Sequence, residues 1–209
     1  DSALHPNERD SHVSTAMLCS PEGVERVQEA LRASDLDGWL LYEFHGINPI
    51  AVQLLGLGKT TRRGFILIPA EGEPVAMIHA IEASSWRHWP FAFRKYSGWK
   101  DMEEQLGEML HDCERVAMEV SPGAAVPTLD YVPAGIAGLI LEQGIEASSS
   151  GDLVSRFHSV WTATQREKHR EAGEIVADVA RRAFERAAEA IKAGAPTNEG
   201  SLSEWIRSE

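Results

Sequence analysis

The clearest hydrophobic pattern in the chain is a pair of short apolar runs, Gly64–Pro69 (GFILIP) and Pro74–His79 (PVAMIH), separated by the polar stretch Ala70-Glu71-Gly72-Glu73. Short runs rich in Ile, Val and Phe favour strands. Gly72 can take a positive φ without steric cost, so the polar stretch predicts a turn and the whole predicts an antiparallel hairpin at the centre of a sheet. Arg62 and Arg63 stand at the entrance of the hairpin, and His79 and Glu82 stand at its exit.

The rest of the chain alternates between the two periods. Ser20-Pro21-Glu22 is a helix start, with a capping hydroxyl, a proline suited to the first turn and an acid facing the positive helix end. Val24, Val27, Ala30 and Leu31 then recur at helical spacing. Leu36–Tyr42 reads as a buried strand, and Phe44–Gly58 as a loop followed by a short helix from Asn48-Pro49. After the hairpin, Ile81–His88 reads as helical. Asp101 is expected to cap a helix running to about His111, with Met102, Leu106, Met109 and Leu110 on one face. Arg115–Val120 is a strand, Ser121-Pro122-Gly123 a turn, Pro133–Gly144 a helix, and Ile145–Ser148 a short strand. Another helix starts at Asp152.

From Thr164 the pattern changes. Thr164–Ala193 holds no proline, and Ala172, Ile175, Val176, Val179, Ala183, Ala187 and Ile191 form an apolar stripe. Thr164 and Glu167 have the spacing of a capping box. Gly194–Gly200 ends this helix, and Ser201–Glu209 starts another. The fold class that follows is α/β: a mixed β-sheet flanked by helices, followed by a long C-terminal helix. The polar, aperiodic residues 1–20 are read as a flexible arm.

Composition narrows the partners. The 209 residues are 43% hydrophobic, enough to build a core, and carry a net charge of −12. That charge argues against a nucleic-acid interface and against an anionic membrane surface. No apolar run approaches the roughly 20 residues of a membrane span, and no signal peptide is visible. Cys19 and Cys113 do not make a disulfide framework, which predicts a reducing, cytoplasmic setting.

The candidate chemistry is sparse. Gly56-Leu57-Gly58-Lys59-Thr60 invites a phosphate-loop reading, but Gln53 stands where that loop needs glycine, and Thr60 leads into a strand instead of a helix. Arg62 and Arg63 are either surface arginines or a contact for a substrate carboxylate; neighbouring strand residues face opposite ways, so one of the two would point to the site. His79 and Glu82 are either a local polar pair or an acid–base pair. His45, His79, His88 and His111 lack metal-ligand spacing, and no metal site is expected in this chain. Cys113 has no activating neighbour, and neither Ser84-Ser85 nor Ser148–Ser150 sits in a nucleophile elbow. The aromatic group from Trp86 to Trp99 is read as core and as a candidate oligomer contact.

The order of these pieces resembles the creatinase / prolidase / aminopeptidase P family of "pita-bread" Xaa-Pro metallopeptidases. The resemblance is carried by DLDGWLLY, NPIAVQLLGLGKTTRRGFILIPAEGEPVAMIHAIE, RVAMEVSP, DLVSRFHSVWTATQREKHREAGEIV and APTNEGSLSEWI. It departs at the linker, where the family pattern has a lysine and this chain has Thr162-Ala163-Thr164. The resemblance implies a ribonuclease H-like N-terminal domain over residues 21–160. It further implies, over 161–209, a linker helix and the incomplete start of a catalytic domain.

For the complete family enzyme it implies hydrolysis of proline-containing peptides. Two divalent metal ions such as manganese would be held by two aspartates, one histidine and two glutamates, none of which maps onto this chain. For this chain it implies no cofactor, a homodimer formed through the N-terminal domain, tentative substrate contact by Arg62 or Arg63 across that dimer, and no turnover alone. Two alternatives stand beside it: a stand-alone, non-catalytic binding or assembly module of the same fold, and an unrelated α/β enzyme using His79 and Glu82.

Overall fold

A computed structural model describes residues 17–195 and 197–209. They divide into two compact units, one ending at Ser159 and one spanning Val160–Glu209. The arm expected over residues 1–20 lies outside the described residues up to 16. Its end is part of the first unit, because Leu18 is fully buried in the core.

The first unit is a three-layer sandwich. Helix α1 (Pro21–Ala33) starts where the sequence predicts, with the Ser20 side chain accepting from Gly23 N. Six strands follow among the described residues: β1 (Gly38–Glu43), β2 (Gly64–Pro69), β3 (Val75–His79), β4 (Ala92–Tyr96), β5 (Arg115–Met118) and β6 (Glu146–Ser149). They form one sheet in the order β4-β3-β2-β1-β5-β6. The predicted hairpin is β2–β3, antiparallel, with Gly72 in its turn at φ 96°. β2 also pairs antiparallel to β1, whereas the β3–β4, β1–β5 and β5–β6 pairs are parallel. Of these six strands, β2 alone therefore runs against the rest, and the other five end at one common edge.

Strand β4 is a correction. Its sequence AFRKY lies inside the aromatic group and shows no apolar alternation, because it is a largely exposed edge strand. The aromatic group divides: Trp86, Trp89 and Tyr96 are buried, while Phe93 and Trp99 are exposed. The segment Ala80–Trp86, expected as a helix over 81–88, takes the tighter 3-10 form.

The pleat sends alternate strand residues to two cores. Trp39, Leu41, Ile66, Ile68 and Ala117 face α1, α2 (Pro49–Leu55) and α5 (Gly151–Phe157). Leu40, Tyr42, Phe65, Leu67 and Val116 face α3 (Trp99–Leu110) and α4 (Ala134–Glu142). Helix α3 starts two residues before Asp101. Asp101 is thus in the first turn, where its carboxylate accepts from Ser97 N at 2.8 Å, instead of at the cap.

The second unit pairs α6 (Ala163–Lys192) with α7 (Glu199–Ser208). The capping box of α6 is made by Thr162 and Gln165, not by Thr164 and Glu167. Thr162-x-x-Gln165 satisfies the same reciprocal geometry two residues earlier, so the helix gains its first half-turn there. Trp205 of α7 lies under the guanidinium groups of Arg182 and Arg186, at 5.3 and 5.4 Å from the ring centre. Ile175, Val176, Phe184 and Ile191 of α6 are exposed.

Candidate functional site: the carboxyl edge of the sheet

The strand directions bring the sequence candidates together. β1, β3, β4, β5 and β6 end at one edge, and β2, running the other way, begins there. Arg62 and Arg63 just before β2, His79 at the end of β3, and Tyr96 at the end of β4 therefore share that edge. After β1 the chain turns to α2 on one face, and after β5 it turns to α4 on the other. The carboxyl ends of β1 and β5 thus form a topological switch point, the position where open α/β sheets leave a crevice.

On the α2 face that crevice is filled by a buried polar network. Glu119 follows β5 and is fully buried. Its carboxylate accepts from Trp39 Nε1 at 2.7 Å, Asn48 Nδ2 at 2.7 Å and Ser150 Oγ at 3.0 Å. Burial pushes the Glu119 pKa up, and the three donors act against that rise. Glu43, at the end of β1, accepts from the backbone N–H groups of Gly46 and Asn48 and from Thr60 Oγ1. Asn48 joins the two carboxylates. It also donates to Tyr42 O at 2.9 Å and caps α2 by accepting from Ala51 N at 3.1 Å.

The same carboxylates fix the segment that carries the arginines. Thr60 is held by Glu43, and Thr61 donates through N and Oγ1 to Glu82 at 2.8 and 2.6 Å. Arg62 and Arg63 are thus presented by a backbone pinned on both sides. The two diverge as strand alternation requires. Arg62 turns back to donate to Thr61 O at 2.9 Å, while Arg63 lies on the face of Tyr42 and Phe65 and lines a cleft there. Tyr96 Oη donates to Arg63 O at 2.8 Å.

His79 and Glu82 have separate partners. His79 Nδ1 accepts from Ile81 N at 3.2 Å and its ring meets Tyr96 edge-on, whereas Glu82 holds Thr61. The arrangement is a cap beside a pin. The other histidines scatter: His45 lies against Thr61 O, His88 against Leu55 O and His111 against Glu108 O. Among the described residues no three His, Cys, Asp or Glu side chains converge as metal ligands would. Burial pushes both Cys19 and Cys113 up to about 11, which disfavours the nucleophilic thiolate.

Sequence reasoning missed Glu43, Asn48 (beyond its capping role), Glu119 and Ser150. A signal was present: each glutamate ends an apolar run, LLYE and VAME, where a buried acid demands partners.

No protein-family model matches the chain, and no curated protein matches it by sequence. Solved structures do resemble it. The prolidase from Pyrococcus horikoshii OT3 is 19% identical with a TM-score of 0.52, over 78% of this chain and 42% of that one. The dipeptidase PepE from Mycobacterium ulcerans is 16% identical with a TM-score of 0.55, over 76% and 42%. A recombinant prolidase from Thermococcus sibiricus is 15% identical with a TM-score of 0.54, over 78% and 43%. The chain thus spans about two-fifths of the length of those proteins. At such identities the likeness establishes the architecture: this chain has a fold that solved prolidases and a dipeptidase contain.

Proposed function

We propose that this chain is the N-terminal portion of a Xaa-Pro aminopeptidase- or dipeptidase-like metallopeptidase, working in the cytoplasm. In this reading the metal-dependent hydrolysis next to proline belongs to the complete enzyme. The portion described here assembles the homodimer and shapes the approach to the active site, and it turns nothing over alone. The observation that carries the reading is the fold shared with two prolidases and a dipeptidase over about two-fifths of their length. The pinned Thr60–Thr61 backbone supports it further, because it fixes where the chain presents Arg62 and Arg63 at the sheet edge, where one of them can meet a substrate carboxylate across the dimer. The exposed Phe93 within edge strand β4 supplies apolar area for the dimer contact.

The test is to incubate the purified chain with an Xaa-Pro dipeptide and Mn2+ while following proline release, and to measure its mass by sedimentation over a concentration series. The reading expects no release and a dimer. Chelator-sensitive release would overturn the inactivity, and a monomer at every concentration would overturn the assembly role. A second reading, a stand-alone binding module, is favoured by one observation: the cleft beside Arg63 is complete within a single unit of one chain.

A further inference from the structure

The cleft beside Arg63 has a definite build. Helices α3 and α4 both start at the carboxyl edge and run back across the same face of the sheet, α3 against β3 and β4 and α4 against β6. At their far ends they meet closely, since a Cβ on Gly107 of α3 would come within 2.8 Å of Oε1 of Gln143, just past α4. Toward the carboxyl edge they stand apart and leave a groove of about 580 Å3 over Tyr42. That volume is within the range of roughly 300–1,000 Å3 typical of small-ligand sites.

Its chemistry is polarised along its length. Arg63 is at the mouth and, among the described residues, is the one cationic side chain lining it. Trp99 and Met102 of α3 and Ile136 and Leu139 of α4 make the apolar walls. Glu103, one turn into α3, and Glu142, at the end of α4, provide negative charge further in. The nine residues of α4 span about 12 Å at a rise of 1.5 Å each. Two extended residues, at about 3.3–3.6 Å each, reach about as far as Glu103, four residues or about 6 Å into α3, and three reach about as far as Glu142. A dianion would meet two glutamates, and a cation would meet Arg63 at the mouth. A zwitterion with an apolar body places its carboxylate on Arg63 and its ammonium on the acidic side.

We infer that this groove binds short apolar peptides with free termini, the carboxylate on Arg63, the side chains against the Trp99–Leu139 walls, and the ammonium toward Glu103 and Glu142. Guanidinium is the side chain best matched to a carboxylate, through two parallel hydrogen bonds. The inference needs neither a second copy nor a catalytic partner. It stands apart from the peptidase reading: loss of peptide binding would leave that reading untouched, and turnover by the chain would leave this one untouched.

Gly138 supplies a clean probe. It lines the groove, and a Cβ there would meet nothing within 4 Å. Gly138→Leu should fill the groove without removing any contact, and it replaces a poor helix former with a good one. The experiment is titration of the 15N-labelled chain with Leu-Leu, its C-terminal amide and its N-acetyl form, repeated on Arg63→Ala and Gly138→Leu. Saturable shifts by Leu-Leu are expected at the amides of Trp99–Glu103 and Gly135–Glu142. The amide form, and Arg63→Ala with Leu-Leu, should each bind about tenfold more weakly, as loss of a charge-assisted pair implies. The acetyl form should also weaken, and Gly138→Leu should bind nothing while unfolding no earlier than wild type. Absence of saturable shifts with Leu-Leu, equal binding of acid and amide, or undiminished binding by either variant would overturn the inference.

Discussion

Asn48→Ala should be the most damaging single truncation of a polar side chain in the first unit. Asn48 is fully buried and its side chain makes three hydrogen bonds, to Ala51 N, Tyr42 O and the Glu119 carboxylate. Losing the cap of α2 costs about 1 kcal/mol. The bond to the Tyr42 carbonyl is neutral and is worth about 0.5–1.5 kcal/mol, and the bond to a buried carboxylate about 1.5–3 kcal/mol. Together they predict a loss of about 3–5 kcal/mol, a large share of the roughly 5–15 kcal/mol that holds a domain together. Urea unfolding followed by tryptophan fluorescence reads this as a lower midpoint with an unchanged slope. Asn48→Asp sharpens the test. The aspartate keeps the cap but loses both Nδ2 donations and places a third negative charge between Glu43 and Glu119. It should be at least as destabilising as alanine at pH 7 and should recover as the pH falls. An Asn48→Ala variant within 1 kcal/mol of wild type, or an aspartate variant as stable as wild type at pH 7, would refute the network as a structural clamp.

Glu119 sets a pH dependence. Its folded pKa lies above the ordinary 4.5 because burial dominates, so the folded state binds the proton more tightly than the unfolded state. The stability it contributes is full below about 4.5 and is lost as the pH rises through the folded pKa; wild type should therefore lose stability relative to Glu119→Gln across that rise, and the opposite slope in paired urea curves would contradict the assignment. With Cys19 and Cys113 raised from 9.0 to about 11, both thiols should react with a disulfide reagent at pH 8 about tenfold more slowly than in the urea-unfolded chain, the loss of thiolate being partly offset by its greater nucleophilicity; equal rates would refute the burial. Thr162→Ala should cost α6 about 1 kcal/mol and speed amide exchange in its first turn, whereas Thr164→Ala should do neither.

The parts of the fold that were legible in the sequence are those with a local signal. The hairpin was announced by two apolar runs around Gly72, and α1 by Ser20-Pro21-Glu22, each settled within a few residues. Edge strand β4 was not legible, because its parallel partner β3 supplies the order that AFRKY does not encode by alternation. The start of α6 was misplaced because two threonines, Thr162 and Thr164, offer competing caps, and only the Gln165 side chain decides between them. The site divides in the same way. Arg62 and Arg63 were visible as a pair, and alternation already said that they would diverge. The Glu43–Asn48–Glu119 network was not visible, since Asn48 and Glu119 lie 71 positions apart and meet only through the parallel β1–β5 pairing. Sequence pattern encodes which residues face a core; it does not encode which two buried acids will share one amide.

The most direct test of the proposed function is to read the coding sequence in frame past Glu209. The peptidase reading predicts that the frame continues into a further domain carrying two aspartates, one histidine and two glutamates, in that order, as metal ligands. A stop codon directly after Glu209 would contradict it and leave a stand-alone binding module with the prolidase fold.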